Sequence, residues 1–254
     1  DLETYDERKG SKIIQSLTIG GFTVDGKKVI KFFTMIELLD KLTEIVKEKN
    51  IYLNAFNGSG FDHIFLINEV LKCENITLSN YLTNGGNVIR GTISYKDKKF
   101  HLFDLCKFTV GSLAYNLKCF GCQTLKGDID YDKLNKWELL DGDFKGQVIK
   151  YLDSDVIGLY QLRNILDEKI KGFNENIYNF VSISQLTYKL WLANLEDKDG
   201  KLKYKIKTPN QRQNDGIRAS IYGGRCYKCK DSYKSKDYQK IIDSIKITDK
   251  GERI

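Results

Sequence analysis

Residues 51–62 read Ile51-Tyr52-Leu53-Asn54-Ala55-Phe56-Asn57-Gly58-Ser59-Gly60-Phe61-Asp62. The opening apolar run suits a short strand, and the Asn-Gly-Ser-Gly cluster breaks it as a turn. Apolar residues then recur at helical spacing, so a helix is expected over 62–71. Strand, glycine turn and helix follow one another, and a carboxylate, Asp62, stands at the helix start.

Working outward, residues 17–24 and 29–34 are β-rich and flank Asp25-Gly26, a hairpin pattern. Ile36, Leu39, Leu42, Ile45 and Val46 predict a helix over 36–49. Residues 88–95 and 100–105 predict a second strand pair turned at 96–99. A short helix is expected over 112–120. A long one is expected over 145–169, with Val148, Leu152, Val156, Leu159 and Leu162 in its core stripe. Strands interleaved with helices indicate an α/β domain. The pattern changes near Gly172. Residues 182–195 look helical, 196–213 are polar and lysine-rich, and 225–240 are strongly basic. The expected division is a domain over 1–172 and a helical, basic region over 173–254.

The chain has 254 residues, enough for one large domain with an appendage. No apolar run approaches the ~20 residues of a membrane span. The first ten residues are polar and show no signal peptide. A soluble, intracellular protein with no membrane partner is expected, its compartment left open. Net charge is +7, from 41 Lys and Arg against 34 Asp and Glu, which suits an anionic partner such as nucleic acid. Cys119/Cys122 and Cys226/Cys229 form two C-x-x-C pairs. Roughly 100 residues separate them, against about 15–20 in a compact zinc module, so reduced thiols are favoured over a shared zinc.

Four acids stand where a rigid fold can aim them. Asp1 and Glu3 share one face of an extended strand. Asp62 opens a helix, and Asp155 lies mid-helix with Tyr151 one turn earlier on the same face. Carboxylates gathered in this way repel unless cations are bound, and hard divalent ions prefer oxygen ligands. Two such ions ~3.5–4 Å apart serve phosphodiester cleavage. One acidifies the attacking water, the other offsets charge on the leaving 3′ oxygen, and a tyrosine hydroxyl can orient the water.

These stretches resemble the exonuclease domain of protein-primed family B DNA polymerases of small bacteriophages, adenoviruses and linear plasmids. Asp1-Leu2-Glu3-Thr4 is similar to the first exonuclease motif, Asp-x-Glu. Asn57-Gly58-Ser59-Gly60-Phe61-Asp62 is similar to the second. Tyr151-Leu152-Asp153-Ser154-Asp155 is similar to the third, Tyr-x-x-x-Asp. Lys126-Gly127-Asp128-Ile129-Asp130-Tyr131 resembles a segment of the protein-primed group, and Ser112-Leu113 resembles a single-strand-binding Ser/Thr-Leu motif.

The resemblance implies a ribonuclease H-like exonuclease fold, a central mixed sheet flanked by helices, with a small basic C-terminal extension. It implies two Mg²⁺ or Mn²⁺ ions held by Asp1, Glu3, Asp62 and Asp155, with Tyr151 orienting the water and Lys126 assisting. It implies that Thr4, Asn57, Phe61, Ser112 and Leu113 hold a single-stranded DNA 3′ end. Phe61 as core, Asn57 as turn cap and Ser112 as helix cap are compatible structural roles.

Ile221-Tyr222-Gly223-Gly224-Arg225 resembles the Tyr-x-Gly-Gly template-binding linker, with Ile221 where the aromatic usually stands. Tyr222, Gly223, Gly224 and Arg225 then read as a template contact, or equally as a glycine turn before a charged surface. An Asp-x-x-Ser-Leu-Tyr-Pro polymerase motif is absent from residues 1–254. The expected whole is a longer DNA-directed DNA polymerase with a terminal (primer) protein as partner. The chain itself is expected to proofread without synthesising DNA. A free-standing exonuclease of the same fold, or a DNA- or primer-protein-binding module with an inactive site, are the rival readings.

Overall fold

In the computed structural model, residues 1–9, 12–84, 86–124, 127–195 and 210–211 are described. The segment around Asp25-Gly26 folds as the hairpin its composition predicts. Strand β2 (Lys12–Phe22) and strand β3 (Ile30–Phe32) are antiparallel, with Gly20 opposite Phe32. Gly26 takes φ 71°, a left-handed conformation open to glycine, and the Asp25 carboxylate accepts from the Lys27 and Lys28 N–H groups. Strand β1 (Leu2–Lys9) joins the other edge of β2, giving a three-stranded sheet in the order β1-β2-β3. Its register slips after Glu3: Glu3 stands opposite Ile19, but Thr4 stands opposite Leu17. Thr18 is therefore the extra residue of a β-bulge, which re-aims the neighbouring side chains. The buried Thr18 hydroxyl donates to the Asn135 carbonyl at 2.9 Å.

Helix α1 (Met35–Ile45) starts at Thr34, whose side chain accepts from the Glu37 N–H, while Glu37 accepts from the Phe33 N–H. This reciprocal capping sets the start. The helix ends before the expected Lys49 because Val46 is extended. Strand β4 (Asn50–Ala55) and helix α2 (Asp62–Val70) bracket the glycine turn. Strands β5 (Ile76–Asn84), β6 (Asn87–Tyr95) and β7 (Lys98–Asp104) complete a four-stranded mixed sheet in the order β4-β7-β6-β5. Within it β4 and β7 are parallel and the other pairs antiparallel. The expected mixed sheet is thus present as two hydrogen-bonded sheets.

Helix α3 (Leu113–Cys119) is capped by Ser112, helix α4 (Gly142–Lys171) by Asp141, and helix α5 (Ile183–Leu195) follows. Three apolar clusters hold the layers together. The first joins α1 and α2 to β6 and β7 around Leu39, Ile93 and Phe100. The second is built on Leu105, Leu117 and Leu162. The third packs α4 onto β2 through Ile19, Val148 and Leu152. Each fully buried Leu or Ile contributes roughly 1.5–3 kcal/mol. Ile177, Phe180 and Leu186 belong to the second cluster, so packing continues past Gly172 and the unit spans Asp1–Glu196.

A second unit covers Asp197–Ile254. Tyr222, Gly223, Gly224, Arg225 and the Cys226/Cys229 pair lie outside the described residues, as does Lys126. No helix among the described residues is long and apolar enough to cross a membrane.

Candidate active site

The glycine turn before Asp62 is fastened from several sides. Asn57 adopts φ 64°, which asparagine tolerates better than most residues. A methyl group at Gly58 would lie 2.7 Å from the Ala55 Cβ and the His63 ring, so only glycine admits this approach. The Asp104 carboxylate, 5% exposed at the end of β7, accepts three backbone N–H groups. They come from Asn57 at 2.9 Å, Ser59 at 3.1 Å and Cys106 at 3.0 Å. The Val88 N–H donates to the Ser59 carbonyl at 2.9 Å, tying the turn to β6 as well. Phe61 packs half-buried against the first cluster, 5.8 Å from the Phe65 ring centre.

Asp62 opens α2 from this anchored turn, and His63 behind it is buried. Burial pushes the His63 pKa down. The Asp62 and Asp104 charges and a hydrogen bond with the Leu53 backbone oppose that, while the Asp1 ammonium adds to it. The Ser59 hydroxyl, Asp62 Oδ1 and His63 Nε2 are buried without a hydrogen-bond partner. Orphaned polar atoms are uncommon in native interiors and point to a missing ligand or water.

On α4, Tyr151 and Asp155 lie one turn apart and are 4% and 1% exposed. The Tyr151 and Tyr131 hydroxyls are 2.6 Å apart, with their rings edge to face. Burial raises the Tyr151 pKa first, then the Tyr131 hydrogen bond, then the charges of Asp155 and Glu3 among the rest. Glu3, 4% exposed on β1, and Asp155 therefore both act electrostatically on one hydroxyl. The structure brings the first and third sequence motifs together there. A Cβ at Gly127 would meet the Tyr151 ring at 3.5 Å, so the segment just after Lys126 passes this ring. Asp153 instead pairs with Lys31 of β3.

Asp1 and Asp62 line a single cavity of about 420 Å³. The Asp1 ammonium donates to the Gly21 carbonyl at 3.0 Å, and the Gly21 N–H donates to the Asp1 carbonyl at 3.0 Å. A carboxylate with an orphaned buried oxygen, as at Asp62, suits a hard divalent ion chemically. Yet among the described residues no three His, Cys, Asp or Glu side chains are gathered as a metal-holding group. Glu3 and Asp155 thus share the Tyr151 hydroxyl, and Asp1 and Asp62 share the cavity.

Thr4 follows the bulge, half-buried. The Ser112 hydroxyl caps α3 by accepting from the Tyr115 N–H at 3.2 Å. Leu113 packs into the second cluster. Sequence reasoning missed Asp104, His63 and Tyr131. Tyr131 lies inside the quoted Lys126–Tyr131 stretch. Asp104 ends an apolar strand, a position the sequence reading did not weigh.

Comparisons with known proteins converge on one family. The description "DNA polymerase type B, organellar and viral" matches residues 42–142 and 141–242. A probable DNA polymerase of Agaricus bitorquis is 25% identical over 276 residues, covering 88% of this chain and 34% of the relative. The chain thus spans about a third of that relative's length. Phi29 DNA polymerase complexed with single-stranded DNA superposes with a TM-score of 0.64 at 15% identity, over 89% of this chain and 39% of that one. The likeness shows the fold, an α/β arrangement of mixed strands and flanking helices. With the family match running from residue 42 to residue 242, the chain belongs to the organellar and viral type B DNA polymerases.

Proposed function

We propose that this chain carries the 3′→5′ proofreading exonuclease of a protein-primed DNA polymerase, hydrolysing the terminal phosphodiester of single-stranded DNA. The observation that supports this most is the buried Tyr151 hydroxyl, set under the charges of Glu3 and Asp155 from distant parts of the chain. Its raised pKa keeps the phenol neutral at working pH. Tyr151 can therefore orient a water by hydrogen bonding without taking its proton, and Tyr131 steadies it from the other side.

Asp1, Glu3, Asp62 and Asp155 would hold two Mg²⁺ or Mn²⁺ ions, which when bound supply an acidified water and charge compensation at the leaving oxygen. Phe61 offers a stacking face for a frayed base, worth about 1–3 kcal/mol. Thr4, Asn57 and Ser112 offer hydrogen bonds to sugar and phosphate, and Lys126 assists catalysis. Mismatched ends unpair at lower cost, so they enter the site more often. In the longer polymerase, template DNA and a terminal protein complete the set of partners.

The test is degradation of a 5′-labelled oligonucleotide. Asp62→Ala and Asp155→Ala are each expected to abolish metal-dependent shortening while the circular dichroism spectrum stays unchanged. Wild-type rates in both would refute the assignment. The rival reading is a DNA- or primer-protein-binding module with an inactive site. Oligonucleotide binding with no cleavage in Mn²⁺ would establish that rival.

A further inference from the structure

Helix α5 reads Ile-Ser-Gln-Leu-Thr-Tyr-Lys-Leu-Trp-Leu-Ala-Asn-Leu from Ile183 to Leu195. Packing settles its inner side. Leu186 is buried in the second cluster and Leu190 packs against it, so the helix rests on the turn Leu105–Phe108. Tyr188 stands two residues past Leu186, about 200° around the helix, and so points away from the core. Tyr188 and Trp191 are 60% and 48% exposed. Three residues apart, they are neighbours on the helix surface. Their ring centres lie 6.0 Å apart and their planes 30° apart, a stacked pair with its outer faces in solvent.

Two large rings left in water forgo the burial that aromatic side chains ordinarily gain. What surrounds them narrows the partner that would supply it. Ser184, Gln185, Thr187 and Lys189 are all exposed on the same helix. Residues 183–195 contain no Asp or Glu, Lys189 is their one charge, and the sequence that follows, 196–213, is lysine-rich. A face made to dock another folded protein carries a continuous apolar patch. Here the aromatic pair instead stands among hydroxyls, an amide and an ammonium group, and the helix has no carboxylate to repel an anion. Flat rings for stacking, with donors and a positive charge beside them, match single-stranded nucleic acid. A duplex keeps its base faces stacked on one another, so only an unpaired strand can offer them to the rings.

We propose that the outer face of α5 is a binding surface for single-stranded DNA, on which Tyr188 and Trp191 stack unpaired bases while Lys189 neutralises phosphate. None of the acids assigned to the nuclease lies on α5, so the surface stands or falls independently of that reading.

The chain contains two tryptophans, Trp137 and Trp191, and Trp137→Phe leaves Trp191 as the sole indole. Titrating this variant with an oligothymidylate, in chelator so that no strand is cut, is expected to quench its emission. A hairpin duplex of the same length should not. Fluorescence anisotropy of the labelled oligonucleotide reads binding in parallel. Tyr188→Ala and Trp191→Ala should each weaken affinity by about tenfold with melting unchanged, while Tyr188→Phe retains it. Lys189→Ala should reduce the slope of log affinity against log salt by about 0.7. If Trp137→Phe does not fold, wild type is compared with Trp191→Phe, and the quenching is expected only in wild type. No binding, binding without quenching, or affinity unchanged in both alanine variants would each overturn the surface. A concentration-dependent dimer abolished by Trp191→Ala would also overturn it, assigning the face to protein contact instead.

Discussion

Asp104 belongs to none of the motifs that point to a nuclease, yet it holds the turn that delivers Asp62. Removing its carboxylate leaves three backbone N–H groups without an acceptor, two of them within that turn. Each buried unsatisfied donor costs about 1–3 kcal/mol. Asp104→Ala is therefore expected to lower unfolding free energy by roughly 3 kcal/mol or more, with Asp104→Asn milder because one oxygen remains. Urea denaturation checks both.

Tyr151 makes a pH prediction whose sign is fixed. Its folded-state pKa is raised, so the folded chain keeps a proton that the unfolded chain releases above pH about 10. Its share of stability is whole below that point and falls as pH rises beyond it. Tyr151→Phe should flatten this alkaline decline, read from urea midpoints between about pH 8 and 11. At this scale the sequence showed Asp1, Glu3, Asp62, Tyr151 and Asp155 through their spacing. It did not show Asp104, because its partners lie 45 and 47 residues away and only the folded sheet brings them near.

Among the elements, α3 carries a role that two substitutions can separate. The Ser112 cap contributes about 1 kcal/mol, and aspartate caps as well as serine does. Ser112→Ala is expected to destabilise by about that amount, while Ser112→Asp leaves melting unchanged. If the hydroxyl also holds DNA, both weaken oligonucleotide binding in fluorescence anisotropy. Unchanged affinity in both leaves Ser112 as a cap alone.

The strands and helices with strong periodicity, β6, β7 and α4, were legible from the chain. β5 was not. Past Leu78 its side chains are exposed, so it carries little of the alternation that marks a half-buried strand. The bulge at Glu3 was hidden for another reason. A one-residue slip is set by pairing with β2 and by Thr18 reaching Asn135, neither of which is local.

For the molecule as a whole, the excess of positive charge predicts salt-sensitive binding to single strands. Affinity should fall log-linearly with salt, with a slope of about −0.7 per phosphate neutralised. A salt-independent affinity would remove the electrostatic part of the reading. The α/β class was readable from interleaved strand and helix patterns, whereas the division into two sheets was not, since no local pattern records which edges remain apart.

The acid-bearing pieces are mounted on different supports. Asp1 and Glu3 ride on the three-stranded sheet, against which α4 with Tyr151 and Asp155 is packed. The turn leading to Asp62 is bolted to β6 and β7 of the other sheet. The distance from Asp62 to the other carboxylates is therefore fixed by how the two sheets pack, not by any one motif. A substitution that shifts this packing is expected to change metal-dependent activity without touching a carboxylate, as a Mn²⁺ titration of that variant would read.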